Sequence, residues 1–90
     1  MIQILRWELD LIDQWQTLML PTGSKTIHFG FKDDSQSFNV WTESDPDLPE
    51  AATGFLILPT GADVPGFAKH VGSCIVNGRM STVWHCYQLL

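Results

Sequence analysis

Basic residues are scarce in this chain: five lysines and arginines stand against ten aspartates and glutamates, a net charge of −5 over 90 residues. That balance disfavours a protein that holds nucleic acid over a broad basic surface, and suits a basic protein partner better. Cysteine is scarcer still. Cys74 and Cys86 lie far from any CxxC pattern, too few for a disulfide framework or a zinc site, so reduced, buried thiols are expected. No run approaches the roughly 20 apolar residues of a membrane-spanning helix, and the N-terminus lacks the charged start, apolar stretch and small-residue cleavage site of a secretory signal. A cytosolic protein is expected. Glycine-rich phosphate cradles are missing too: "PTGSK" and "PTGAD" lack the GxxxxGK[ST] spacing and are read as turns. There is no internal repeat and no low-complexity tract.

What is present is a globular composition, 44% apolar and 11% aromatic with only 17% charged residues, expected to form one compact β domain over residues 1–90. A chain this short buries roughly 60 to 65% of its unfolded surface. An apolar-rich chain with so thin a margin is expected to meet another copy of itself, a marginal monomer being the alternative. Between Lys32 and Lys69 no cation occurs, whereas Asp33, Asp34, Glu43, Asp45, Asp47, Glu50 and Asp63 do. Solvated loops account for such a stretch, and an acidic contact surface at Asp45 and Asp47 is the functional alternative.

Strand signals dominate. "IQILRWEL" alternates so that Leu5, Trp7 and Leu9 share a core face, and "WQTLMLP" sets Gln16, Leu18 and Leu20 against Trp15, Thr17 and Met19. "KTIHFGF" and "SFNVW" flank a polar turn; Ile27, Phe29 and Phe31 are expected on one face, and Phe38 and Val40 opposite Asn39 and Trp41. "TESDPDLPEAATG" reads as a loop because prolines and acids interrupt a ladder, and "FLILP" as a buried strand. Helix is limited to a short turn at Leu9 to Gln14 or at Pro65 to Lys69. Six to seven strands with at most one short helix predict an all-β fold, a small antiparallel β-sandwich or a partly open barrel.

Asn77-Gly78 between two β-rich arms is the strongest hairpin signal. With these as the two central turn residues, partners sum to 155: Val76 faces Arg79, Cys74 faces Ser81, Gly72 faces Val83, and His70 faces His85. Cys74 and Cys86 then point to different faces.

Chemistry-bearing constellations are weak. His70 and His85 as cross-strand neighbours could share a metal or bind phosphate, but no third ligand stands at recognisable spacing, so no metal and no cofactor are expected. His85 and Cys86 are adjacent in a strand and point apart, which is poor geometry for a nucleophile and its base, and no catalytic residue is assigned. Four tryptophans exceed what so small a core can bury. The sharpest ligand reading stacks a flat base on Trp41 or Trp84 while Lys69, His70, His85 or Arg79 meets phosphate.

The order of "WELDLIDQWQTLMLPTGSK", "VWTESDP", "FLILPTGADVP", "HVGS" and "VWHCY" resembles an uncharacterised family of small bacteriophage and prophage β-domain proteins, about 70 to 100 residues long. The chain departs from that pattern at "CIVNGRMST" and "ATGFLIL". The resemblance implies a phage source, a β fold and a place in the host cytoplasm, without an assigned activity. By analogy with small phage accessory proteins, the expected function is a non-enzymatic counter-defence protein that sequesters a nucleotide-type immune signal. The alternatives are an acidic, anti-CRISPR-like inhibitor of a host defence protein, and a small virion or assembly component.

Overall fold

The computed structural model describes residues 1–12, 14–76 and 82–89. Seven strands follow one another: β1 (Gln3–Leu9), β2 (Gln16–Pro21), β3 (Lys25–Lys32), β4 (Ser37–Ser44), β5 (Glu50–Pro59), β6 (Ala68–Val76) and β7 (Thr82–Leu89). They form two antiparallel sheets, ordered β1-β4-β3 and β2-β5-β7-β6. The fold is an all-β sandwich, without a closed barrel and, among the described residues, without a helix. The turn at Pro65 is closed by Ala68 N–H donating to its carbonyl, 3.1 Å away.

Period-two alternation sets the two inner faces. Leu9, Phe29, Phe38 and Val40 from the first sheet meet Leu20, Phe55, Ile57 and Cys86 from the second. Phe38 holds the centre, stacked on Phe29 at 5.5 Å and edge-on to Phe31 and Trp84. The bulge between Thr26 and His28 breaks one expected face: Phe29 and Phe31 turn inward while Ile27 stays 42% exposed.

The edge strands β3 and β6 close one side of the sandwich. A Cβ on Gly72 would lie 2.8 Å from Phe29 Cβ and 3.2 Å from Phe29 N, so only glycine permits this approach. On the inner side, Trp7 Nε1–H donates to Thr42 Oγ1 at 2.9 Å; Thr42, Ser44 and Ser24 hydroxyls follow at 2.7 Å intervals, and Ser24 Oγ donates to Pro21 O at 2.6 Å. An indole can only donate and a carbonyl only accept, so every hydroxyl proton in this relay points one way.

Two expectations are corrected. The stretch from Thr42 to Gly54 is not one loop: residues 42–44 finish β4, and Glu50 to Gly54 pair with Pro21 to Thr17. The prolines are accommodated because Pro46 and Pro49 fall in the five-residue connection 45–49, outside both ladders. The β6–β7 register is not 155. Partners sum to 158 from Gly72↔Cys86 to Val76↔Thr82, and to 157 beyond the bulge at Val71. Five residues therefore separate the arms, and Asn77, Gly78, Arg79, Met80 and Ser81 lie outside the described residues. An odd shift turns every side chain of one arm over. Cys74, opposite Trp84, consequently joins Cys86 on the inner face, both as free thiols.

Candidate functional site

The outer face of the four-stranded sheet brings together the histidines that sequence reasoning singled out. His70 stands opposite Tyr87, and His85 opposite Ser73, so the two histidines are diagonal neighbours with ring centroids 6.3 Å apart. His70 also meets Tyr87 edge-on at 5.3 Å. Ser73 joins the pair: its Oγ lies 2.8 Å from His70 Nε2 and 2.7 Å from His85 Nδ1. His85 Nε2 lies 2.9 Å from Thr60 Oγ1, whose proton goes to Val83 O at 3.3 Å.

The protons of this chain can be assigned. Thr60 has one proton and gives it to a carbonyl, so it accepts from His85 Nε2–H. His85 Nδ1 is then the acceptor for Ser73 Oγ–H, and Ser73 accepts from His70 Nε2–H. The neutral rings are both Nε2–H tautomers, each fixed by the next partner.

Lys69 does not share that face. It pairs with Gln88 at the closed edge, where Thr26 Oγ1–H donates to Gln88 Oε1 at 2.8 Å. There Ser24, Lys25, Thr26, Lys69, His70 and Gln88 line a cleft of about 270 Å³. Two of the chain's five Lys and Arg residues thus converge on one cleft, and neither forms an ion pair among the described residues. The lysine side chains bring the ammonium donors that a phosphate or similar anion requires; the protons of Ser24 Oγ, Thr26 Oγ1 and His70 Nε2 are already given to Pro21, Gln88 and Ser73.

The tryptophans do not meet this cleft. Trp41 lies on the outer face of the other sheet, 5.1 Å from the His28 ring and packed over Gly30. Trp84 points inward, edge-on to Phe38, and helps to line an apolar cavity of about 530 Å³ with Leu11, Ile12, Gln14, Ile57 and Pro59. Asp45 has local work: its Oδ1 accepts from Asp47 N–H at 3.0 Å and its Oδ2 lies 3.6 Å from the N-terminal ammonium. Asp47 is exposed. Arg79 is outside the described residues.

Neither thiol is placed for nucleophilic work. Burial, and the neighbouring Cys74, push the Cys86 thiol up to about 12, and burial also raises Cys74. Among the described residues no group of three or more His, Cys, Asp or Glu side chains could hold a metal ion.

Sequence reasoning missed Lys25, Ser24, Ser73 and Thr60. "PTGSK" and "PTGAD" were legible only as turns, which they are: Gly23 and Gly61 take φ of 78° and 97°. Their second role depends on which strands become neighbours, and no local signal carries that.

These features define a small antiparallel β-sandwich with a hydrogen-bonded histidine cluster on one sheet and a lysine-lined cleft at its closed edge. The chain belongs to the family described as a domain of unknown function (DUF7352), which matches residues 1–90. Comparison with curated proteins and with solved structures gives no match.

Proposed function

We propose that this domain is a non-enzymatic binding protein that takes a small phosphorylated, nucleotide-type molecule in the cleft between the start of β3 and β6. The observation that carries this reading is the convergence of Lys25 and Lys69, with His70 beside them, on one cleft of an otherwise acidic chain. About 270 Å³ lies just below the roughly 300 to 1,000 Å³ of small-molecule sites. A phosphate and its sugar fill it, and a base extends over its rim. In the setting implied by the resemblance to phage proteins, that binding removes an immune signal from the host cytoplasm, which makes the protein a counter-defence factor.

The test is a thermal-shift and calorimetric panel of cyclic dinucleotides, cyclic mononucleotides and inorganic phosphate, run on the parent and on a Lys25→Ala/Lys69→Ala double variant. A ligand present at about 100 times its Kd raises stability by about 2.7 kcal/mol, which the parent should register and the double variant should lose. No shift with any nucleotide and no ligand retained on gel filtration would remove this reading.

A further inference from the structure

We propose that two copies of this chain associate back to back through the outer faces of their four-stranded sheets. The sheet is unusual for one that faces water, where polar side chains should alternate outward. Instead Met19, Ile75 and Leu89 project from it at 48%, 60% and 45% exposure, and Phe67, 54% exposed, stacks on Trp15 at 5.9 Å along its margin. A Cβ on Gly54 would lie 3.2 Å from Leu89 Cβ and 3.6 Å from the Trp15 ring, which places that aromatic pair on the same side.

Charge selects the occupant. Each copy carries −5, so most approaches of two copies oppose carboxylates. On this face the register leaves Glu50, opposite Pro21 at the end of β2, as the strand acid at the rim, and Asp63 belongs to the connection whose Thr60, Gly61, Ala62 and Val64 line a pocket with His85 and Tyr87. The rows between carry no Asp, Glu, Lys or Arg. The other sheet differs, since Arg6, Glu8 and Glu43 stand on its outer rows. An isologous pairing of these faces, whose inner rows carry no charge, is the approach that meets least self-repulsion.

Most polar groups in the middle of the face do not oppose burial. Ser73 Oγ, Thr60 Oγ1 and both ring nitrogens of His85 are satisfied within the chain already described, so covering them leaves no orphaned donor or acceptor, while His70 Nδ1 and the Tyr87 hydroxyl on the same face take their partners from the second copy. Area is adequate as well. Four strands about 4.8 Å apart and about eight residues long project roughly 500 Å² before side-chain relief is counted, of the order of the about 800 Å² per partner of a standard interface.

Sedimentation equilibrium across micromolar to millimolar protein at neutral pH tests this, with Met19→Glu, Ile75→Glu and, on the opposite sheet, Ile4→Glu at a residue 67% exposed. The parent should give a concentration-dependent species of twice the 10.1 kDa chain mass. Met19→Glu and Ile75→Glu should each raise its dissociation constant by about tenfold or more, and Ile4→Glu should leave it unchanged. Met19 and Ile75 lie on β2 and β6, the two edge strands, and far-ultraviolet circular dichroism establishes that each variant folds, so one folded variant decides. A parent that stays monomeric throughout, or a dimer indifferent to the folded face variants, overturns the proposal. So does one broken equally by Ile4→Glu.

Discussion

Gly72 and Phe29 sit on different sheets, yet a methyl group added to Gly72 would fall 2.8 Å from Phe29 Cβ and 3.2 Å from its backbone nitrogen. The neighbour is main chain as well as side chain and cannot rotate away. Gly72→Ala should therefore destabilise the fold by about 1 to 3 kcal/mol through overpacking, read as a lower urea midpoint. Gly66→Ala, where nothing lies within 4 Å, is the control and should stay within about 0.5 kcal/mol of the parent.

Alkaline pH should weaken the fold through Cys86. Its thiol is held up to about 12 in the native state, whereas in the unfolded chain it ionises near the ordinary value of about 8.5. Between those values the native state binds the proton that the unfolded state has lost, so stability falls as pH rises, by up to about 1.4 kcal/mol per pH unit. Below about pH 8 the contribution is fully present. Cys86→Ala should flatten the denaturation midpoint between pH 9 and 11 relative to the parent; an unchanged slope would count against the assignment. Thiol titration adds a kinetic check: half-buried Cys74 should react before Cys86.

The relay from Trp7 to Pro21 should respond to loss of a hydroxyl in its middle. Thr42→Val leaves the indole N–H without its acceptor and Ser44 without its donor, which should cost about 1 to 3 kcal/mol. Equilibrium unfolding followed by tryptophan fluorescence measures it. A loss below about 0.5 kcal/mol would mean the relay contributes no net stability.

Histidine tautomers provide a direct readout of the outer-face cluster. Long-range nitrogen–proton correlation spectra near pH 8 should find the proton on Nε2 in both His70 and His85. In Thr60→Val that preference at His85 should relax, because the acceptor that holds its Nε2–H is gone. A proton on His85 Nδ1 in the parent would reverse the order of donors through Ser73.

Much of this architecture was legible because period-two alternation is a local signal. Leu9 could be placed on a core face from its neighbours in sequence, and alternation alone put Phe38 with Val40, and His85 with Tyr87, on shared faces; which of those faces is buried is decided by the packing of the two sheets. The β6–β7 register could not be placed in that way, since Asn77-Gly78 looks like a two-residue turn whether or not the flanking residues join the connection. A shift of three positions moved Cys74 inward and set Ser73 between two histidines. Lys25 was equally hidden: its place beside Lys69 follows from β3 and β6 becoming neighbours across a sheet boundary, 44 positions apart in the chain. Long-range adjacency assembled the cleft, and composition pointed only to its scarcity of cations.

The one-way hydroxyl relay also works as a key. Threonine and serine alternate at positions 42 and 44 of β4, in step with the pleat, and each needs its particular neighbour to complete the row from the indole to the carbonyl. Apolar side chains tolerate a slipped strand if volume is kept, but a β4 displaced by one residue would turn these hydroxyls out and strand the donor of Trp7. Polarity within the sandwich thus discriminates among pairings that greasy contacts alone would leave nearly degenerate.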